Sequence, residues 1–367
     1  MVIAFPNLGN VALAMQALCQ GLQIPYILPE PNNKETLQLG AYYAPEEICL
    51  PFKLILGNFI QGIRKGADTV LITGSCGPCR FGEFCEMLMK ILGAMGYRNL
   101  NYVVVDLPAG IGVKEFMNRI GKISQASSVC TGEKIKAMLA AFRVICLSDH
   151  IDAMAYDLAG YEVNRGTSRR LLHECRMKAF SCRRSEEMVG LLHTYKKKME
   201  SIPVDPGKNP LKIAIIGELF TIIDPFSNFS IEERLMDYDV STKRIMTPSW
   251  WVKDAMMKPL KLNSRPIQKA AREYLPYPVG GHGRECVGTA VLAGRQGMDG
   301  AIQIFPMGCM PQIIAKSVLP SVQRDTELPV MTLIMDEVAG EAGYLTRIEA
   351  FVDMLESRKR LRQSFCS

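Results

Sequence analysis

Twelve cysteines stand among 367 residues, and the first question is what their sulfurs do. A thiolate can ligate a metal or act as a redox thiol; a protonated thiol can fill a core as a small hydrophobe. The cysteines are far too dilute for a small disulfide scaffold. Two of them sit in loops built alike. Cys79 lies in Gly74-Ser-Cys-Gly-Pro-Cys-Arg-Phe-Gly82, after a β-rich run ending near Thr73. Cys309 lies in Phe305-Pro-Met-Gly-Cys-Met-Pro311, after a run ending near Phe305. In each, the chain passes from a strand through a Gly/Pro-rich turn to a cysteine and then a helix. Glycine lets the backbone approach a bulky group. The helix N-terminus that follows favours a thiolate over a thiol. Cys49, in Glu46-Glu-Ile-Cys-Leu-Pro-Phe-Lys53, is a third candidate, because Pro51 suits the first turn of a helix running to about Ile63. All three cysteines are expected to open helices.

The other cysteines divide differently. Cys19, Cys85 and Cys146 sit singly on apolar helix faces and read as core residues. Cys76 is ambiguous: Cys76-x-x-Cys79 is either a dithiol redox pair or half of a zinc site. No second CxxC or His-x-His pair completes such a site, and the spacing to Cys286 or His282 is unconvincing. Cys130, Cys175, Cys182 and Cys366 carry no motif.

Several polar residues flank these positions. Arg80 follows Cys79 directly and is read either as an anion-binding group or as one arm of an interdomain salt bridge. Lys53, one helical turn after Cys49, falls on a similar face, although a lysine there is more often solvated. His282, in Gly280-Gly-His-Gly-Arg-Glu285, is a candidate proton donor. Asp336, Glu337 and Glu341 follow the apolar run Val330–Met335; they are candidates for acid–base work, or for capping a loop. There is no GxxxxGK[ST], so the chain is not expected to be an ATPase itself. There is also no GxGxxG after a strand, and no nicotinamide cofactor is expected.

Positioning such residues requires a scaffold of alternating strands and helices. Candidate strands are Val2–Phe5, Ile24–Leu28, Thr69–Thr73, Tyr102–Leu107, Lys212–Gly217, Ala301–Phe305 and Val330–Met335. The longer ones are near-continuous apolar runs, as parallel strands covered on both faces require. Helical patterns are expected over about Val11–Leu22, Phe81–Met95, Ile313–Arg324 and Tyr344–Leu355. From about Glu133 to Glu200 the pattern is mostly helical, and a turn-rich break follows at Ile202–Pro210. These features predict an N-terminal α/β domain over 1–132, a mostly helical connecting segment over 133–205 and a C-terminal α/β domain over 206–367.

Composition bounds the function. Hydrophobic residues make up 48% and charged residues 22%, which excludes a disordered chain. With 8% aromatics and a net charge of +6 gathered in no dense stripe, a nucleic-acid binder is disfavoured. Residues 1–29 contain no Asp, Glu, Lys or Arg, but Pro6, Asn7, Asn10, Gln16, Gln20 and Gln23 interrupt the apolar run. A strand–helix–strand unit fits this stretch better than a membrane anchor or signal peptide. The protein is expected to be soluble and cytoplasmic, with no membrane partner.

The segments Glu47-Ile-Cys-Leu-Pro-Phe-Lys53, Gly77-Pro-Cys-Arg-Phe-Gly82, Gly280-Gly-His-Gly283, Cys309-Met-Pro-Gln-Ile-Ile314 and Asp336-Glu-Val-Ala-Gly-Glu-Ala-Gly343 together resemble the 2-hydroxyacyl-CoA dehydratase superfamily. Within it, they are most similar to the acyl-CoA dehydratase activase-related, or CoA-protein-activase-like, branch. The resemblance covers about 1–110 and 210–356. It implies two Rossmann- or flavodoxin-like α/β domains with parallel sheets and an iron–sulfur site between them. It also implies a ligand set: three widely separated cysteines hold a [4Fe–4S] cluster, and Cys49, Cys79 and Cys309 match their layout. A sister branch carries a double-cubane [8Fe–9S] cluster, for which Cys76, Cys130 and Cys286 are the spare thiols.

In the dehydratases a separate ATP-hydrolysing iron–sulfur activator delivers a single low-potential electron. A ketyl radical then forms at the thioester carbonyl, and the hydroxyl group leaves. The resemblance therefore implies an anaerobic iron–sulfur enzyme acting on a small molecule, with that activator and a similar second subunit, or a second copy, as partners. Arg80, His282 and Glu337 are its candidate catalytic residues. Two alternatives stay open: a non-catalytic electron relay carrying a cluster, and a CxxC thiol oxidoreductase with none.

Overall fold

A computed structural model of the chain describes residues 1–74, 79–105, 113–257, 264–338 and 340–366. Residues 1–29 form β1 (Ile3–Ala4), α1 (Asn10–Leu22) and β2 (Tyr26–Ile27). Among the described residues, no helix is long and apolar enough to cross a membrane. The chain continues through α2 (Lys34–Tyr43), α3 (Leu50–Arg64) and β3 (Thr69–Thr73). A 3-10 turn, Arg80–Glu83, then leads into α4 (Phe84–Ala94), β4 (Asn101–Val105) and α5 (Val113–Ala126).

The helical stretch comprises α6 (Thr131–Leu158), α7 (Thr167–Ser181) and α8 (Ser185–Glu200). After it come β5 (Lys212–Gly217), the short α9 (Leu219–Ile223) and α10 (Ile231–Met236), β6 (Ser241–Arg244), α11 (Pro248–Met257) and α12 (Arg265–Arg272). The chain closes with α13 (Gly283–Arg295), β7 (Gly300–Pro306), α14 (Met310–Thr326), β8 (Val330–Met335) and α15 (Glu341–Cys366).

The architecture is α/β, with two four-stranded sheets in the orders β2-β1-β3-β4 and β6-β5-β7-β8. Every pairing is parallel: Ile3 stands opposite Tyr26 and Thr69, and Ile213 opposite Thr242 and Gly300. Read along each half, both orders are 2-1-3-4, the order of flavodoxin-like doubly wound sheets. The chain thus builds one topology twice.

Compactness divides the chain into two units. One comprises Met1–His150, Glu174–Lys197 and Pro248–Asn263; the other comprises Ile151–His173, Lys198–Thr247 and Ser264–Ser367. Three of the five cuts fall inside α6, α7 and α8, so these helices contribute residues to both units.

Each unit has its own core. In the first, Ile3, Leu71 and Val103 of the sheet, with Phe5 just after β1, pack against Ala12, Cys19 and Leu22 of α1. Cys19 is 2% exposed, and burial pushes its thiol up to about 12, so it is the core residue its position on α1 suggests. In the second, Ala214, Ile216 and Ala301 meet Val287, Ala290 and Val291 of α13 and Ala315, Leu319 and Val322 of α14.

The strand β6 has no counterpart among the expected strands. Its residues, Ser-Thr-Lys-Arg, lack an apolar run. It is an edge strand, and Ser241 and Thr242 are buried even so.

The helix that precedes the third strand of each sheet is clamped to its predecessor through a glycine. A Cβ on Gly57 of α3 would stand 2.1 Å from the Thr36 carbonyl oxygen of α2. A Cβ on Gly288 of α13 would stand 2.2 Å from the Ile267 carbonyl oxygen of α12. Backbone cannot yield as a side-chain tip can. Gly288→Ala should therefore cost about 1–3 kcal/mol in a urea unfolding curve. Gly93→Ala on α4, where a Cβ meets nothing within 4 Å, should instead stabilise by up to about 1 kcal/mol.

Candidate functional site

Cys49, Cys79 and Cys309 all open helices, as expected. Each is an N-cap with extended backbone: Cys49 (φ −67, ψ 151) for α3, Cys79 (φ −73, ψ 135) for the 3-10 turn, and Cys309 (φ −73, ψ 95) for α14. None uses its side chain to cap, and all three are half-buried. A proline in the first turn fixes the entry into α3 and α14. The three cysteines thus stand at the starts of helical turns, α3 and α14 being full helices whose N-termini favour negative charge.

In the first unit, two contacts bring the Cys49 and Cys79 loops together. Arg80, next to Cys79, donates from Nη1 to the Glu47 carbonyl oxygen at 2.7 Å, two residues before Cys49. Behind this bond the rings of Phe52 and Phe84 meet edge to face at 4.9 Å, and Phe84 meets Phe81 at 5.1 Å. Phe52 belongs to the helix of Cys49, and Phe81 and Phe84 to the helical turns after Cys79. Arg80 is therefore a clasp within one unit.

Lys53 is a correction to the solvated reading. It is 4% exposed, and its ammonium donates to the Glu46 carbonyl oxygen at 3.0 Å. A buried cation thus sits in the first turn of α3, close after Cys49. Cys76 lies outside the described residues.

In the second unit, Cys309 follows β7, the third strand of its sheet, as Cys79 follows β3. Its N–H bonds the Pro306 carbonyl at 3.1 Å, and Gly308 at φ +74 turns the chain between them. Below this turn is a polar network that the sequence reading missed. Gln303, in the middle of β7, and Gln312, in the first turn of α14, are both fully buried. Gln303 donates to the carbonyl and side-chain oxygens of Gln312, both at 3.2 Å, and accepts from Thr332 of β8 at 3.0 Å. Gln312 donates to the Gly217 carbonyl at 2.9 Å and the His282 carbonyl at 3.3 Å. One side chain thus ties the ends of β5 and α13 to the helix of Cys309.

His282 is the N-cap of α13, and its side chain does not cap the helix. The next residue, Gly283, packs so closely that a Cβ there would lie 2.7 Å from the Pro311 carbonyl oxygen. His282 and the Cys309 turn are therefore neighbours.

Glu337 is exposed in the loop after β8. Asp336 accepts the Val338 N–H at 2.9 Å, closing an Asx-type turn, and Glu341 pairs with Arg234 at 2.7 Å. Glu218, also missed, lies at the carboxyl end of β5. It accepts from the N–H groups of Phe220 and Thr221 at 2.9 Å and from the Thr221 hydroxyl at 2.7 Å. Burial raises its carboxyl above the usual carboxylate range, and these hydrogen bonds pull the other way without cancelling the shift.

Of the spare thiols, Cys286 is wholly buried in the core of the second unit, and burial pushes its thiol far up. Cys130 is exposed just before α6. Among the described residues, no group of three or more His, Cys, Asp or Glu side chains is gathered closely enough to hold a metal ion. No protein-family model matches the chain, and no curated protein is significantly similar to it.

Gln312→Leu removes the donor to the Gly217 and His282 carbonyls and one of the two oxygens that accept from the Gln303 amide. Urea unfolding should show a loss of about 2–4 kcal/mol. Lys90→Ala, which breaks an exposed pair with Glu86 at 3.7 Å on α4, should change stability by less than about 0.5 kcal/mol.

Proposed function

We propose that the chain is an iron–sulfur protein of the 2-hydroxyacyl-CoA dehydratase type. In this reading Cys49, Cys79 and Cys309 hold a [4Fe–4S] cluster. A separate ATP-hydrolysing iron–sulfur activator supplies low-potential electrons, which serve to reduce or dehydrate a small substrate, a CoA thioester being the implied class. One observation carries the reading: half-buried cysteines at helix N-termini follow the third strand in both copies of one topology, and Arg80 links a third such cysteine to the first of them.

The donor set fits such a group chemically. Thiolates are the usual ligands of iron–sulfur clusters, and helix N-termini together with Lys53 and Arg80 offset the negative charge that thiolates and sulfides accumulate. When bound, the cluster supplies one electron and, with three thiolates for four irons, an iron able to accept a further ligand.

The chain's own residues have separable tasks. Arg80 keeps the Cys49 and Cys79 loops in register through Glu47. Gln312 fixes the height of the Cys309 turn on its sheet. Glu337, exposed at the carboxyl edge of the second sheet, is accessible for proton exchange with a substrate. The burial of Cys286 supports a single cubane over a double one, because a second cluster using it would have to open the core.

Cys49→Ser, Cys79→Ser and Cys309→Ser should each lose iron after anaerobic purification and reconstitution, while Cys19→Ser should keep it. The wild-type chain should carry about four irons with matching acid-labile sulfide. A count near eight would favour the double cubane, and full iron in Cys309→Ser would remove the second unit from the site.

A further inference from the structure

Within the first unit, α6 and α11 meet through residues that all belong to that unit. Asp149 of α6 is buried, and its carboxylate accepts the Ser249 N–H, in the first turn of α11, at 2.6 Å. Its other oxygen accepts from the Asn10 amide of α1 at 2.8 Å. These bonds fix where the two helices touch. Cys146 stands one turn before Asp149, and Lys253 one turn after Ser249. The two are thereby brought together: the Lys253 ammonium donates a hydrogen bond to the Cys146 sulfur. Cys146 reads from the sequence as a core residue, but it is half-buried, and Lys253 is exposed.

We infer that Cys146 and Lys253 form an acyl-transfer pair, through which a short-chain acyl thioester modifies Lys253. The Cys146 sulfur attacks the thioester carbonyl. A new carbon–sulfur bond forms, the old one breaks, and the carrier leaves as a thiol with the Cys146 proton. Lys253, as the free amine, then attacks the same carbon. A carbon–nitrogen bond forms, and the Cys146 sulfur leaves with the proton that the amine gives up. No electron moves, and the thiol is regenerated. Lys253 ends as an amide and loses its charge.

A lysine alone meets a thioester only by collision. A thioester on Cys146 holds the acyl carbon on a sulfur that Lys253 already touches, so the second step is intramolecular. Burial pushes the Cys146 thiol above its ordinary range; Lys253 pulls it down, and Asp149 adds a smaller push upward. Burial therefore makes the first step the slow one, and the charge of Lys253 favours the thiolate that starts it. Neither residue belongs to the proposed cluster ligands, and the inference does not rest on the iron–sulfur reading.

The test incubates the full chain with acetyl-CoA and reads acetylation at each lysine by peptide mass spectrometry. Expected is an amide at Lys253 that forms about tenfold faster than at Lys197, an exposed lysine of α8. In Cys146→Ser the Lys253 rate should fall to that of Lys197. In Lys253→Arg the acetyl group should stop on Cys146, as a thioester that hydroxylamine removes. Equal acetylation of Lys253 in the wild type and Cys146→Ser would overturn the inference. So would an unmodified Cys146 in Lys253→Arg, a change at an exposed side chain that reports even where Cys146→Ser fails to fold. Iron content enters neither readout, so either result leaves the proposed cluster to its own test.

Discussion

A parallel strand covered on both faces has one place to release the chain, the carboxyl edge of its sheet, and the helix that returns must begin there. The proposed iron–sulfur site depends on that constraint. It fixes the starts of the helical turns that follow β3 and β7, and the bonds from Arg80 to the Glu47 carbonyl and from Gln312 to the His282 carbonyl bring the N-termini of α3 and α13 beside them. A cysteine at such a joint is presented at the sheet edge, next to unpaired N–H groups. The chain puts cysteines at three of these joints or the short turn leading into them, and a histidine at the fourth.

Holding a joint at a definite height is a separate matter. In the second unit the work falls to Gln303 and Gln312, whose amides satisfy one another and reach carbonyls on β5 and α13. A polar pair in an apolar core is favourable only when every group is paired, and such a network resists sliding because each shift breaks several bonds together. In the first unit Phe52, Phe81 and Phe84 fill the corresponding space with rings, and Arg80 closes the top. The two units thus reach the same arrangement by different packing.

Charge follows the same geometry. Lys53 is buried in the first turn of α3, and its ammonium donates to the Glu46 carbonyl oxygen just before Cys49.

Much of this was legible in the amino-acid order. The runs Lys212–Gly217 and Val330–Met335 are strands to the residue, because near-continuous apolar runs suit strands covered on both faces. Pro51 marks a helix start through its fixed φ, and a Gly/Pro-rich turn leads from a strand to the helix after Cys309; both are local properties, so the helix-opening role of Cys49 and Cys309 could be read directly. Residues whose role depends on distant partners could not. Ser241–Arg244 looks like a loop until β5 pairs with it. Nothing in the residue order marks Gln303 and Gln312 as partners, and Lys53 reads as a solvated lysine, because burial is decided by what folds over a residue. The sequence by itself determined the α/β alternation and the cysteines at its joints, through backbone geometry and hydrophobic pattern. Only the tertiary structure decided that the same topology occurs twice, because strand order is created by pairing between remote segments.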